Sequence, residues 1–164
     1  MQTYYKIVSE HTMFYRIARI QGRYDIANIP NGATFHAYKP FEPNKVIIQC
    51  SQPVLHFCDN AFDTMLWEAK FGQFVTNKYN YFYQIIPLND VIKQRCNDSS
   101  NLYQCGANEI KFIELIDRNK MFDLAISEYD NNKTKKEAMY PNLDLDKIVK
   151  NWKQHVCPTS LYTR

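Results

Sequence analysis

Residues 54–88 decide the fold, and they read VLHFCDNAFDTMLWEAKFGQFVTNKYNYFYQIIPL. The hydrophobic pattern changes twice within this stretch. A short β-prone run ends at Cys58, and a strongly β-prone, aromatic run follows over 79–88. Between them, apolar residues recur at the i, i+3, i+4, i+7 spacing of a helix face, namely Phe62, Met65, Leu66 and Ala69. The stretch therefore predicts a strand–helix–strand unit.

The ends of this helix carry their own signals. Asp59 or Asn60 is suited to cap its N-terminus, and Gly72 is suited to end it. In the following strand, Tyr81, Tyr83 and Ile85 fall on one face, with Phe82 and Ile86 on the other. Apolar residues on both faces predict a central strand.

Further strands and helices are predicted on both sides of the unit. Residues 3–9, 33–38, 45–50 and 109–116 have strand composition, whereas 12–20 fit a strand or a helix equally well. Residues 93–101 are predicted to form a loop, and 119–129 a helix. A last helix follows Pro141, with an apolar stripe formed by Leu145, Ile148, Val149, Trp152 and Val156.

This order predicts a single α+β domain with a mostly antiparallel sheet, flanking helices and a C-terminal helix. The predicted boundaries are a core domain over residues 1–130, a polar linker over 131–140, and a C-terminal helix and tail over 141–164. No internal repeat is visible.

The composition is that of a folded protein: 164 residues, 45% hydrophobic and 23% charged. No apolar stretch reaches the roughly 20 residues that span a bilayer, and the start lacks the pattern of a secretory signal, so no membrane association is expected. An exposed aromatic platform for single-stranded nucleic acid is the weaker interpretation of the 15% aromatic content, because the net charge is only +3. Core packing is the better explanation.

The five cysteines are odd in number and contain no CxxC pair, which favours free thiols and a cytoplasmic location. A zinc site would need His56 together with irregularly spaced cysteines, drawn from Cys50, Cys58, Cys96 and Cys105. Buried free cysteines are the better interpretation, and no metal is predicted.

The segment from Leu55 to Asn60, with the helix and strand after it, resembles a passage of ADP-ribosyltransferase-like domains. In that family a Tyr of the passage stacks on nicotinamide, and His56 occupies this position here. Asn108-Glu109-Ile110 resembles the strand whose acidic residue stabilises an oxocarbenium-like transition state. A His or Arg after the first strand holds NAD in the family, and this element corresponds to His11 or to His36.

The resemblance implies NAD as cofactor, Glu109 as the catalytic acid, and three cofactor-binding residues, His11, His36 and His56. Each has a structural alternative. His56 fits a hydrogen-bonded sheet histidine, and Glu109 fits a solvent-facing carboxylate at a strand start, with Glu114 as a competing acid.

Residues 4–125 also resemble the N-terminal domains that precede ankyrin repeats in giant-virus proteins. The matches include the opening Tyr4–Val8, a strand ending in Pro87-Leu88, and Ala107-Asn108-Glu109-Ile110. This resemblance implies a virus-encoded accessory protein in the host cytoplasm.

Two hypotheses follow. The first is an interaction or structural domain without catalysis that binds another protein, since His56 replaces the stacking Tyr. The second is an ADP-ribosyltransferase acting on NAD and a protein target. The enzyme would require Glu109, His56 and a further His or Arg to converge on one pocket.

Overall fold

The computed structural model describes residues 2–9, 18–20, 25–37, 55–74, 80–96 and 101–156. Within these ranges there are eight strands and four helices. The strands are β1 Tyr4–Val8, β2 Ala18–Ile20, β3 Thr34–Ala37, β4 Leu55–Phe57, β5 Tyr81–Pro87, β6 Ile92–Arg95, β7 Tyr103–Ala107 and β8 Glu109–Ile116. The helices are α1 Ala61–Phe74, α2 Arg118–Asn131, α3 Lys133–Met139 and α4 Leu145–Trp152.

The strands form two antiparallel sheets. The five-stranded sheet has the order β1-β5-β8-β3-β2, and the three-stranded sheet has the order β4-β7-β6. Tyr5 of β1 and Cys58, just after β4, exchange two backbone hydrogen bonds of 2.9 Å, so the two sheets meet at this bridge. The predicted α+β domain with an antiparallel sheet is confirmed.

Two hydrophobic cores hold the layers together. The inter-sheet core is filled from the five-stranded sheet by residues such as Phe35, Tyr83, Ile85, Ile110 and Phe112, and from the three-stranded sheet by Leu55, Phe57, Cys105 and Ala107. The helical core joins α1, α2 and α4 to the other face of β1, β5 and β8, with Phe62, Met65, Leu66, Met121, Phe122, Ile148 and Trp152 among its buried residues. The helices cover only part of that face.

The predicted strand–helix–strand unit over 54–88 is present as β4, α1 and β5. Asn60 caps α1, because its side-chain oxygen accepts the backbone N–H of Asp63 at 2.7 Å. The helix continues past Gly72 to Phe74, so the predicted end at Gly72 is wrong. β5 lies between β1 and β8, as expected of a central strand.

Three sequence-based assignments need correction. The predicted loop over 93–101 contains most of β6, an edge strand whose polar residues lack a strand pattern, and β7 was not predicted at all. The predicted polar linker over 131–140 contains helix α3. Val156 lies beyond α4 and is 50% exposed, so it does not belong to the buried stripe.

The C-terminal segment packs on the rest of the domain. Leu145, Ile148, Val149 and Trp152 of α4 are buried in the helical core. The predicted strand over 45–50, most of the undecided segment 12–20, and the residues His11 and Cys50 lie outside the described residues. None of the helices in the described part is long and apolar enough to cross a membrane.

Candidate functional site

His36 and Glu109 form the centre of the candidate site. They are directly opposite each other on the neighbouring strands β3 and β8. His36 Nδ1 lies 3.4 Å from Glu109 Oε2, and the two side chains are 39% and 30% exposed. Two of the residues that the family resemblance singled out are therefore in contact and accessible to solvent.

Thr34 extends this pair along β3. Its Oγ1 lies 3.4 Å from Nε2 of His36, the ring nitrogen that does not face Glu109. The Glu109 carboxylate beside Nδ1 favours the neutral tautomer of His36 that carries its proton on Nδ1. Nε2 is then the acceptor for the Thr34 hydroxyl.

His56 lies in the other sheet. It is opposite Gly106 in the pairing of β4 with β7, and its backbone carbonyl accepts a 2.7 Å hydrogen bond from Lys6 Nζ. His11 lies outside the described residues. The structure thus brings His36 to Glu109 but places His56 on a different sheet.

Three exposed apolar side chains lie at or shortly after the end of β5. Ile86, Leu88 and Val91 are 43%, 42% and 37% exposed, and we call these three residues the β5-end patch. The backbone N–H of Leu88 donates to the Glu109 carbonyl at 2.9 Å, which places Leu88 next to the pair.

The direction of Ile86 follows from its neighbours. Ile85 and Phe112 point into the inter-sheet core, and side chains alternate along a strand. Ile86 and Lys111, which are opposite each other, therefore face the other side of the sheet. Thr34, His36 and Glu109 alternate with Phe35 and Ile110 of the same core, so they share that face.

The carboxylate of Asp63, in the first turn of α1, is hydrogen-bonded within the fold. Asp63 accepts hydrogen bonds from the Tyr140 hydroxyl at 2.6 Å and from Asn60 Nδ2 at 2.9 Å. Burial raises the pKa of Asp63, although these hydrogen bonds oppose the rise. Burial and the Asp63 charge both raise the pKa of the Tyr140 hydroxyl, which stays protonated as a donor.

Two more carboxylates have structural partners. Glu128 of α2 accepts the backbone N–H groups of Ala61 and Phe62 at 2.8 and 3.0 Å. Glu68, with a side chain only 4% exposed, contacts Arg118 Nη2 at 2.6 Å. These acids stabilise helix ends and packing and are not open to a substrate.

The described cysteines offer no nucleophile. Cys58 and Cys105 are free and buried, and burial raises the pKa of both thiols, that of Cys105 to about 12. Cys96 forms a disulfide bond, so the expectation of free thiols fails at this position. Within the described ranges, no group of three or more His, Cys, Asp or Glu residues is placed to hold a metal ion.

Two of the aromatic residues of β5 belong to the cores. Phe82 and Tyr83 are 1% and 0% exposed. The Tyr83 hydroxyl donates to the Ile26 carbonyl at 2.6 Å and accepts the Ile29 N–H at 3.2 Å. These two rings therefore pack inside the protein, as the preferred interpretation of the aromatic content expects.

Sequence reasoning missed Thr34 and the β5-end patch. The signal for Thr34 was its i, i+2 spacing from His36 in a predicted strand, which places both on one face. The signal for the patch was the apolar run Ile86-Pro87-Leu88 at a strand end. The exposure of these side chains depends on where the helices stop covering the sheet, and only tertiary packing decides that.

Comparison of the chain with protein-family models, with curated proteins and with solved structures gave no match.

Proposed function

We propose that this protein is a virus-type accessory domain without catalysis that binds another protein through the β5-end patch. One observation carries the proposal. Among the described residues, three of the five exposed large hydrophobic side chains fall within 86–91. Clustered exposed apolar residues are typical of a docking surface, whereas isolated ones are ordinary.

The surroundings of the patch support a protein partner. Lys111 lies opposite Ile86, and Glu109 lies next to Leu88. An apolar centre with charged residues at its margin is the usual arrangement of a protein–protein interface. The partner that fits this surface presents one or two apolar side chains flanked by charges.

The arrangement of the histidines also supports binding without catalysis. An NAD-cleaving site must hold the nicotinamide riboside in an attackable geometry, and that requires the stacking residue beside the acid. His56, which stands where the family has its stacking Tyr, lies in the other sheet from Glu109. Asp63, Glu68 and Glu128 are occupied by partners within the fold.

Quantitative affinity capture tests the proposal. The wild type, the double variant Ile86→Ser/Leu88→Ser and the control Leu115→Ser would each be used as bait in the same lysate. Leu115 is a matched control because it is a strand leucine with 48% exposure near the far end of β8. We expect a protein that is retained by the wild type and the control and lost by the double variant. Equal retention by all three would contradict the proposal.

The second candidate function is ADP-ribosyl transfer from NAD to a protein, and the His36–Glu109 contact favours it. Glu109 would supply the carboxylate, and His36 would hold the cofactor, with His11 and His56 as the other implied residues. Incubation with labelled NAD and host-cell lysate tests this function. Label transfer that disappears with Glu109→Gln would establish the enzyme, and we expect no such transfer.

A further inference from the structure

We propose that Thr34, His36 and Glu109 form a hydroxyl–imidazole–carboxylate relay that makes Thr34 an acceptor of acyl groups. This would be a covalent modification site, and it goes beyond protein binding through the β5-end patch.

The inference rests on the order of the contacts around the His36 ring. The Thr34 hydroxyl oxygen and the Glu109 carboxylate lie on opposite nitrogens of one imidazole, each at 3.4 Å. The negative charge of the carboxylate beside Nδ1 favours the tautomer with the proton on Nδ1, which leaves Nε2 to accept the hydroxyl proton. Hydroxyl nucleophiles are activated by this order of groups, and the contacts between the groups are often looser when no substrate is present.

The backbone holds the three residues in place. β3 is fixed to β8 on both sides of the relay, because the Ala37 N–H donates to the Asn108 carbonyl at 2.7 Å and the Phe112 N–H donates to the Ala33 carbonyl at 2.8 Å. Between them, Phe35 is fully buried in the inter-sheet core. Strand alternation therefore keeps Thr34 and His36 together on the opposite, accessible face.

The chemical step is transfer of an acyl group from an activated ester. Thr34 Oγ1 attacks the ester carbonyl carbon, its proton moves to His36 Nε2, and an oxygen–carbon bond forms. The bond from that carbon to the leaving oxygen breaks, and the leaving group takes the proton from Nε2. The products are O-acyl-Thr34 and a free alcohol or phenol, with no redox change.

A second His–carboxylate pair provides a matched control. His155 Nε2 lies 3.1 Å from Asp123 Oδ1, and the His155 ring stacks on Phe122 at 5.6 Å. Its side-chain exposure, 39%, equals that of His36. In the described part of the chain, however, no hydroxyl group is hydrogen-bonded to the His155 ring.

The test is acetylation by p-nitrophenyl acetate, followed by peptide mapping with mass spectrometry. We expect acetyl-Thr34 in the wild type and in His155→Gln. In His36→Gln its rate of formation should fall by on the order of 100-fold, the usual contribution of a general base. Glu109→Gln should also slow it, and Thr34→Ser should retain or increase it, because a primary alcohol is less hindered.

Two results would overturn the relay. One is acetylation of Thr34 at the same rate in the wild type and His36→Gln. The other is acetylation of lysines, including Lys111 opposite Thr34, with Thr34 unmodified. Circular dichroism of each variant would show that the fold is retained, and the Thr34→Ser result does not depend on removing the histidine.

Discussion

Tyr140 donates a 2.6 Å hydrogen bond to the carboxylate of Asp63, which lies 77 residues earlier in the chain. Both residues are buried, at 3% and 1% exposure. The bond joins the segment between α3 and α4 to the first turn of α1. The C-terminal helices are therefore part of the folded domain and not an independent appendage.

Removing the Tyr140 hydroxyl should destabilise the protein. Tyr140→Phe leaves a buried carboxylate without its hydroxyl donor, and a hydrogen bond to a charged group is worth about 1.5–3 kcal/mol. Urea unfolding should show a loss of free energy of unfolding in that range. Tyr4→Phe is the control, because the Tyr4 hydroxyl makes no hydrogen bond to the described residues, and it should change stability by less than about 0.5 kcal/mol.

Asp63 should make stability decrease as pH rises through its titration range. Its folded-state pKa is raised by burial, so the native state binds the proton more tightly than the unfolded state, whose pKa is about 3.9. The stabilising contribution is present below the unfolded pKa and is lost as pH rises through the folded pKa.

The measurement is the difference in free energy of unfolding between the wild type and Asp63→Asn across pH. We expect the wild type to lose stability relative to the variant as pH rises above about 4. A difference that does not change with pH, or one that increases with pH in favour of the wild type, would be incompatible with a raised pKa.

Glu128 should act as an N-terminal cap for helix α1, although it lies in helix α2. It accepts the N–H groups of Ala61 and Phe62, and its negative charge lies at the positive end of the α1 dipole. Glu128→Gln should cost about 1–2 kcal/mol, measured by urea unfolding. The exposed Glu114 is the control, and Glu114→Gln should leave the unfolding midpoint nearly unchanged.

Trp152 should be a main anchor of the C-terminal helix. It is fully buried, and its ring contacts that of Phe62 edge-on at 5.5 Å. Trp152→Ala should cost about 3–5 kcal/mol. Its indole N–H has no hydrogen-bond partner among the described residues, so Trp152→Phe should cost clearly less. Equal losses for both variants would show that the ring volume is not what matters.

The parts of the fold with strong local patterns were predictable. β1, α1, β5, β8 and α4 each carry a clear hydrophobic period, and the structure places all five near their predicted positions. β6 and β7 were missed because Lys93, Gln94 and Arg95 lack an apolar alternation, and Gly106 has low strand propensity. These strands form through pairing with each other and with β4.

Helix α3 was missed for a different reason. Its sequence is polar, but Lys, Glu, Ala and Met are strong helix formers, and Asn132 precedes it as a residue suited to capping. The hydrophobic pattern of this segment does not show its helix propensity. Lys136 is buried, with its Nζ 5.0 Å from the centre of the Phe62 ring, which no sequence pattern indicates.

The candidate site was only partly predictable. The family resemblance singled out Glu109 and left His11 and His36 as alternatives, and sheet register decides which histidine lies opposite the acid. That register places His36 there. The position of His56 in the other sheet depends on the pairing of β4 with β7, which sequence spacing does not specify.

Site-specific photo-cross-linking from position 88 tests the central claim most directly. A photoreactive phenylalanine analogue would replace Leu88 in one variant and Leu115 in a second, and both would be illuminated in cells. Docking through the β5-end patch predicts a discrete protein adduct from position 88, absent from position 115 and strongly reduced by Ile86→Asp. The same adducts from both positions, or none from position 88, would contradict it.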